Sequence, residues 1–266
     1  MLDHHIGMLV PSSNRTMETE LPEIMRARCA TYPQDRFVFH TSRMRMKHVT
    51  PDELRAMNAQ TGRATRELAD VRPDVVATAC LVAIMAQGPK HHLVAENEIR
   101  EILAEEDLRL PVVSSAGALV AGIKALGARR VAIMTPYLKP LTKLVADYLE
   151  DCGIEVVDTL SFEVADNLDF AALDPERLVD AWRTLDTSRA DAIVVSACVQ
   201  MPSLSAISRI EAESGLPVLS AATATAFEIL TSLGLDPIAP DAGYLLSADF
   251  AASRKSRAAS ASSVAC

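Results

Sequence analysis

A weak internal repeat, set within alternating β-rich and helical segments, constrains the fold of this chain more than any other feature. Three short strings recur in the same order in the two halves: 6–11 matches 131–136, 74–80 matches 192–198, and 110–115 matches 216–221. Alternating strands and helices are typical of α/β proteins with parallel sheets. The repeat therefore predicts an α/β fold of two similar parallel-sheet lobes, related by pseudo-twofold symmetry, with a cleft between them.

The predicted division of the chain follows from this repeat. Residues 1–116 and 222–250 are expected to form the first lobe and residues 117–221 the second, with a crossover near 115–118. The alanine- and serine-rich segment 251–266 is expected to be a mobile tail. A helix is predicted to begin with a capping box at Thr50, Pro51 and Glu53. The predicted strands are 6–10, 37–40, 75–78, 112–113, 131–134, 154–157, 193–196 and 218–219.

Composition excludes several classes of function. The chain has 266 residues, 26 Lys and Arg against 35 Asp and Glu, a net charge of −9 and only 4% aromatic residues. Nucleic-acid binding needs basic surfaces with stacking aromatics, so no nucleic-acid partner is expected. No apolar run reaches the ~20 residues of a membrane span, and the N-terminus has no signal-peptide pattern. We therefore expect a cytoplasmic protein with no membrane partner.

The common cofactor and metal motifs are missing from the sequence. There is no G-x-G-x-x-G, no phosphate loop, no H-E-x-x-H, no C-x-x-C and no G-x-S-x-G. The five cysteines are scattered and odd in number, which suits neither a disulfide scaffold nor a zinc site. The sequence thus predicts no cofactor, no metal and reduced thiols.

Two of these cysteines occupy matched positions in the repeat. Cys80 and Cys198 each follow a β-rich run, where a loop or a helix N-terminus is expected to begin. Residues beyond the carboxyl ends of parallel strands line the cleft of such sheets, so the two thiols are expected to face each other. A thiol at a helix N-terminus loses its proton more readily. Free cysteine is also often buried for structural reasons alone, which is the alternative reading.

Polar residues are expected around the same cleft. Asn14 can cap the first helix and also donate its amide to an anion, and Tyr137 stands at the matching place in the second half. Asn167 lies in a polar segment that would otherwise pass as a turn. A helix is predicted shortly after Cys198, with Pro202 in its first turn, which would leave backbone N–H groups there free to face the cleft.

Five segments of the sequence match the motifs of a known family. They are Val-Pro-Ser-Ser-Asn at 10–14, Ala-Cys-Leu-Val-Ala-Ile-Met at 79–85, Ser-Ser-Ala-Gly at 114–117, Thr-Pro-Tyr at 135–137 and Ser-Ala-Cys-Val-Gln-Met-Pro-Ser at 196–203. Together they resemble maleate isomerase (maleate cis-trans isomerase), within the aspartate/glutamate racemase superfamily, and the similarity covers residues 5 to 248. Amino-acid racemases of the superfamily usually have Cys-Asn-Thr where this chain has Cys80-Leu81-Val82, and arylmalonate decarboxylases lack the first cysteine.

The resemblance implies a function and a set of site residues. It implies conversion of maleate to fumarate without a cofactor, in a homodimer, through a covalent succinyl-cysteine-type intermediate, with Cys80 as nucleophile and Cys198 as its proton-handling partner. A racemase that uses the two thiols as acid and base, and a non-catalytic dicarboxylate-binding protein, are the alternatives. The residues expected to hold the substrate carboxylates are Asn14, Tyr137, Asn167 and the backbone of Leu81, Val82, Val199 and Gln200.

Overall fold

The chain folds into two parallel four-stranded sheets with helices packed around them. The computed structural model describes residues 2–264, and side chains for residues 2–257. The strand orders are β2-β1-β3-β4 and β6-β5-β7-β8, so both sheets use the same order of their first to fourth strands. The strands are β1 (Leu2–Pro11), β2 (Asp35–Met44), β3 (Val75–Thr78), β4 (Val112–Ser114), β5 (Arg130–Thr135), β6 (Glu155–Ser161), β7 (Ala192–Ser196) and β8 (Val218–Ser220).

Helices connect successive strands in both halves. In the described part of the chain, none is long and apolar enough to span a membrane. Short 3-10 helices cover Trp182–Thr184 and Tyr244–Leu246. The α-helices are α1 (Met17–Thr31), α2 (Pro51–Asn58), α3 (Thr61–Ala69), α4 (Leu81–Met85), α5 (His91–Glu105), α6 (Ser115–Leu126), α7 (Lys139–Asp151), α8 (Asn167–Phe170), α9 (Glu176–Ala181), α10 (Leu204–Ser214), α11 (Ala221–Ser232) and α12 (Ala248–Val264).

The internal repeat corresponds to the sheets, as predicted. Its three pairs of strings fall on β1 and β5, on β3 and β7, and on β4 and β8. Strands β3 and β7 are buried along their whole length, as expected for parallel strands covered on both faces. Beyond each strand the backbone stays in register: Ala79 N donates to Leu9 O at 2.8 Å, and Ala197 N donates to Met134 O at 3.0 Å. The next residue in each case is one of the paired cysteines.

Helices α6 and α11 join the two halves. A Cβ added at Gly122 would lie 3.2 Å from the Cβ of Ala224, so the close approach of these helices requires glycine there. Helix α11 follows the second sheet in the chain but also contacts α1, β3 and β4 of the first. These contacts support the proposed return of residues 222–250 to the first lobe. The lobe boundaries remain a proposal.

Two local expectations need correction. Much of the segment expected to be a mobile tail belongs to α12, and Arg254 lies 4.8 Å above the Phe227 ring. Composition did not anticipate this, although alanine is the strongest helix former. Cys266 lies outside the described residues. At α2, Thr50 caps Glu53 N as predicted, but the Glu53 carboxylate accepts from the N–H groups of Lys47 and His48.

Candidate active site

The carboxyl ends of the two sheets enclose a cavity of about 310 Å³. All nine residues predicted for the site line it, and they come from both halves of the chain. Four further lining residues, Pro11, Met46, Val49 and Phe170, make part of its wall apolar. The complete lining is Pro11, Asn14, Met46, Val49, Cys80, Leu81, Val82, Tyr137, Asn167, Phe170, Cys198, Val199 and Gln200.

Cys80 occupies a tight corner between β3 and α4. Its φ of 78° and ψ of 67° place it in the left-handed region, which is uncommon for a residue with a side chain. The chain turns there from a buried strand straight into a buried helix, and the N–H of Ala83 donates to the Cys80 carbonyl oxygen at 3.1 Å. Leu81 and Val82 form the first turn of α4, whose N–H groups have no partner within a helix. Cys80 therefore lies beside the backbone donors of two residues that line the cavity.

Cys198 is held differently, and the helix predicted just after it is displaced. Residues 198–201 form a turn, in which the Ser196 hydroxyl donates to the carbonyls of Cys198 (2.8 Å) and Met201 (3.1 Å). Helix α10 begins only at Leu204, so Pro202 precedes the helix. The N–H of Gln200 was expected to be free for a ligand, but it is directed at Cys198 Sγ at 3.4 Å.

The two thiols differ in how readily they ionise. Burial raises the pKa of Cys80 to about 12. Burial also raises the pKa of Cys198, but the Tyr137 hydroxyl and the N–H of Gln200 donate to its sulfur and oppose this effect. Burial raises the pKa of Tyr137 well above 10, so its hydroxyl stays a donor. Hydrogen bonds to a charged form favour that form, so Cys198 is the better site for a thiolate.

Asn14 lines the cavity as predicted, but the N-cap residue of α1 is Thr16, and the Asn14 side chain reaches the start of that helix from two residues before the cap. Its Oδ1 accepts from Met17 N at 3.0 Å, and its Nδ2 donates to Val199 O at 3.4 Å. The amide carries two N–H groups, so one remains to reach a ligand. Asn167 lies at the start of α8, and its Nδ2 donates to Ser13 Oγ at 2.6 Å.

The Gln200 side chain joins three loops. Its Oε1 accepts from Arg15 N at 2.9 Å, and its Nε2 donates to Ser13 O at 2.8 Å and to Asn167 O at 3.1 Å. The amide is thus fully used in joining the β1–α1 loop to the second half of the chain. Gln200 shapes the cavity, and its side-chain amide is not free to hold a substrate.

Sequence reasoning missed several residues around the site. Ser13, Thr16 and Glu20 contact residues more than 150 positions away, and no local signal reveals such pairs. Met46 did have a signal in the sequence, because charged and apolar residues alternate in Arg-Met-Arg-Met-Lys at 43–47, the pattern of an extended strand with one face inward.

Comparison with known proteins identifies the family of this chain. The family model described as arylmalonate decarboxylase (Amdase) matches residues 6–246. The maleate isomerase of Geobacillus stearothermophilus is 51% identical over 245 residues, covering 92% of this chain and 98% of that protein.

Solved structures give the same picture. A cysteine-to-alanine variant of the maleate isomerase from Pseudomonas putida S16, crystallised with maleate, is 50% identical over 92% of this chain and 98% of that one, with a TM-score of 0.91. A cysteine-to-serine variant of the Nocardia farcinica maleate cis-trans isomerase carries a covalently bound succinylcysteine intermediate. It is 47% identical over 92% of this chain and 98% of that one, with a TM-score of 0.89. This chain therefore belongs to the arylmalonate decarboxylase (Amdase) family and, within it, to the maleate isomerases.

Proposed function

We propose that this chain converts maleate to fumarate without a cofactor, by transient addition of a cysteine thiolate to the double bond. The observation that carries the proposal is the pair of buried thiols, one from each half of the chain, on a single small cavity. Rotation about a C=C bond requires that the π bond be broken first. Nucleophilic addition breaks it and leaves a single bond that can rotate.

The difference between the thiols assigns a role to each. The Cys198 thiolate accepts the proton of the Cys80 thiol while Cys80 Sγ bonds to one olefinic carbon. The π electrons move onto the other carbon and its carboxylate as an enediolate. Cys198 then protonates that carbon to give a succinyl-cysteine. After rotation, Cys198 removes a proton from the same carbon, the C–S bond breaks and its electron pair returns to Cys80, which regains its proton from Cys198.

Neutral donors hold the two carboxylates in this proposal. We assign one carboxylate to the N–H groups of Leu81 and Val82, at the first turn of α4, and to the free amide proton of Asn14. Asn167 and the N–H of Val199 take the other. Tyr137 acts mainly on Cys198, because its hydroxyl already donates to that sulfur. Donors fixed where enediolate charge develops stabilise the intermediate more than the substrate.

Activity and covalent labelling test the assignment. Cys80→Ser should abolish formation of fumarate from maleate, and wild-type protein quenched during turnover should carry one added maleic acid on the Cys80 peptide. Cys198→Ala should lose most of kcat while still binding maleate. Cys152→Ser is the matched control, because Cys152 is a buried thiol that does not line the cavity. Full activity in Cys80→Ser, or an adduct only on Cys198, contradicts these roles.

Proton NMR in deuterated water separates this reaction from a racemase. An isomerase gives fumarate from maleate, whereas a racemase exchanges the Cα proton of aspartate or glutamate and leaves maleate unchanged.

We further propose that the protein is a cytoplasmic homodimer, as the resemblance implies. The mechanism needs reduced thiols, and the cysteines in the described part of the chain are free. Apolar side chains exposed on one turn of α5, Leu93 at 58% and Val94 at 49%, support a self-association surface. Light scattering during gel filtration should give twice the chain mass of 28.7 kDa. Localisation of a tagged chain should place it in the cytoplasm.

A further inference from the structure

Glu20 is a buried carboxylate that bridges the two halves of the molecule. It lies in the first turns of α1, and only 6% of its surface is exposed. Its Oε1 accepts from the backbone N–H groups of Ser203 (2.5 Å) and Leu204 (2.6 Å), and its Oε2 lies 3.3 Å from Ser203 Oγ. These groups begin α10, so Glu20 caps a helix that belongs to the other sheet.

The segment that Glu20 fixes is the one that carries Cys198. Only four residues separate Cys198 from Ser203, and one of them is Pro202, whose φ is restricted. The Ser196 hydroxyl already ties the turn to the end of β7. With Ser203 anchored as well, the turn is held at both ends. The position of the Gln200 N–H on Cys198 Sγ then follows from those two anchors.

The start of the first lobe's α1 supplies the remaining contacts to this turn. Thr16 Oγ1 donates to Gln200 O at 2.7 Å, and Asn14 Nδ2 donates to Val199 O. The loop that begins α1 follows β1, and β1 pairs with β3, which ends at Cys80. Residues 14–20 therefore fix the position of the Cys198 turn relative to the sheet that carries Cys80.

We propose that Glu20 is a positioning residue that sets the reactivity of Cys198 by fixing the Cys198 turn across the lobe interface. The role in catalysis rests on the proposed function, but the effect on the thiol does not. Without the Glu20 carboxylate, two buried N–H groups lose their acceptor, and the turn must move to find another. The donors on Cys198 Sγ then misalign, whereas the corner that holds Cys80 is untouched.

Selective alkylation of the two thiols in one protein tests this directly. Initial rates of carbamidomethylation by iodoacetamide at pH 8 are measured for Cys80 and Cys198 separately, by peptide mass spectrometry at low extents of labelling. We expect Glu20→Ala to slow Cys198 about tenfold relative to Cys80, since the thiolate is the reactive form. Glu20→Gln should stay within about twofold of wild type, because one amide oxygen can accept from both N–H groups. If Glu20→Ala does not fold, Glu20→Asp, whose shorter side chain cannot reach both N–H groups, takes its place with the same expectation.

Two control variants isolate positioning from general destabilisation. Glu211 is also a partly buried carboxylate that accepts backbone N–H groups, those of Val218 and Tyr244, but it lies near the far end of α10. Glu211→Ala should destabilise the protein and leave the ratio of the two alkylation rates unchanged. Glu23→Ala removes an exposed acid from the same turns of α1 and should also leave the ratio unchanged.

The outcomes separate the inference from the isomerase reaction. A selective loss at Cys198 supports positioning by Glu20 even if the wild type converts no maleate, which would refute the proposed function alone. In an active enzyme, Glu20→Ala should lower kcat with little change in KM. An equal loss at both thiols, or the same selective loss in Glu211→Ala, overturns the inference.

Discussion

Replacing Tyr137 with phenylalanine removes one hydroxyl group and little else. Tyr137 is buried, and its ring packs edge-on against Phe170 with centroids 5.6 Å apart, a contact that phenylalanine keeps. Its hydroxyl donates to Cys198 Sγ. The substitution therefore tests a single hydrogen bond to the thiol that we assign as the base.

The expected effect follows from the strength of that bond. A hydrogen bond to a charged group contributes about 1.5–3 kcal/mol, and about 1.36 kcal/mol corresponds to a factor of ten in an equilibrium constant. Loss of the hydroxyl should therefore reduce the population of Cys198 thiolate by about 10- to 100-fold at any pH below its pKa. Because the thiolate accepts the Cys80 proton, kcat should fall by a similar factor.

The pH dependence of kcat measures this effect. Burial raises the pKa of Cys198, so wild-type kcat should increase with pH from neutrality into the alkaline range. The Tyr137→Phe profile should be displaced to higher pH. The kcat values of wild type and variant should converge at a pH high enough to ionise Cys198 in both proteins. Phe170→Leu, which alters the same packing without touching the hydrogen bond, should not displace the profile. A uniform loss of kcat at all pH values would refute the role of Tyr137 in stabilising the thiolate.

Two predictions concern stability. Burial raises the pKa of Glu20 above its usual value, so the folded state favours the protonated carboxyl. Protonated Glu20 therefore adds to the free energy of unfolding. This contribution is complete below the unfolded-state pKa and is lost as the pH rises through the raised folded-state pKa. Glu20→Gln should therefore be at least as stable as wild type in urea at pH 8, and this advantage should vanish on acidification; a loss confined to pH 8 would contradict this. Arg28 and Asp35 form an ion pair at 2.9 Å with both side chains 2% exposed, and Arg28 also donates to the carbonyls of Asp236 and Ile238. Arg28→Met should lower the free energy of unfolding in urea by about 3–5 kcal/mol, because it leaves the buried Asp35 carboxylate without its arginine partner. Adding Asp35→Leu should recover part of that loss. No recovery would show that the contacts of Arg28 with the two carbonyl groups contribute most of the stability.

Local patterns were enough to predict the sheets and the thiol pair. Strands β3 and β7 are short, fully buried and rich in valine, so their composition alone marks them. Edge strand β2 was predicted too short, at 37–40 against Asp35–Met44, because most of its residues are partly or fully exposed and no buried apolar run marks its ends. The cysteines were found through the repeat. Cys80 and Cys198 occupy matching positions in two similar lobes, so each follows the carboxyl end of the corresponding strand, β3 or β7.

Contacts between distant segments could not be predicted in this way. Nothing local in the sequence reveals the role of Glu20, which lies in the first turn of α1 but caps α10, a helix that begins 184 residues later. The N-terminus of α10 was expected to bind a ligand, and it is filled by that carboxylate. Gln200 was assigned to the substrate, and its amide instead joins three loops. In the last two cases a local donor or acceptor was identified correctly, and its partner was set by the docking of the lobes.

The neutral lining of the cavity bears on how a chain of net charge −9 can process a dianion. Among the described residues, those that line the cavity include no lysine or arginine. A lysine or arginine there would already bind the dianionic substrate strongly, before the enediolate with its third negative charge forms, and binding energy realised in the ground state lowers KM without raising kcat. It would also favour the ionised form of both thiols, whereas the proposed reaction needs one thiolate and one thiol. Fixed N–H and O–H donors act over a shorter range, so they can stabilise Cys198 and the enediolate oxygens without ionising Cys80. A lysine introduced at Val49 should therefore lower KM for maleate and leave kcat unchanged or reduced; an increase in kcat would show that charge, and not the placement of donors, limits the reaction.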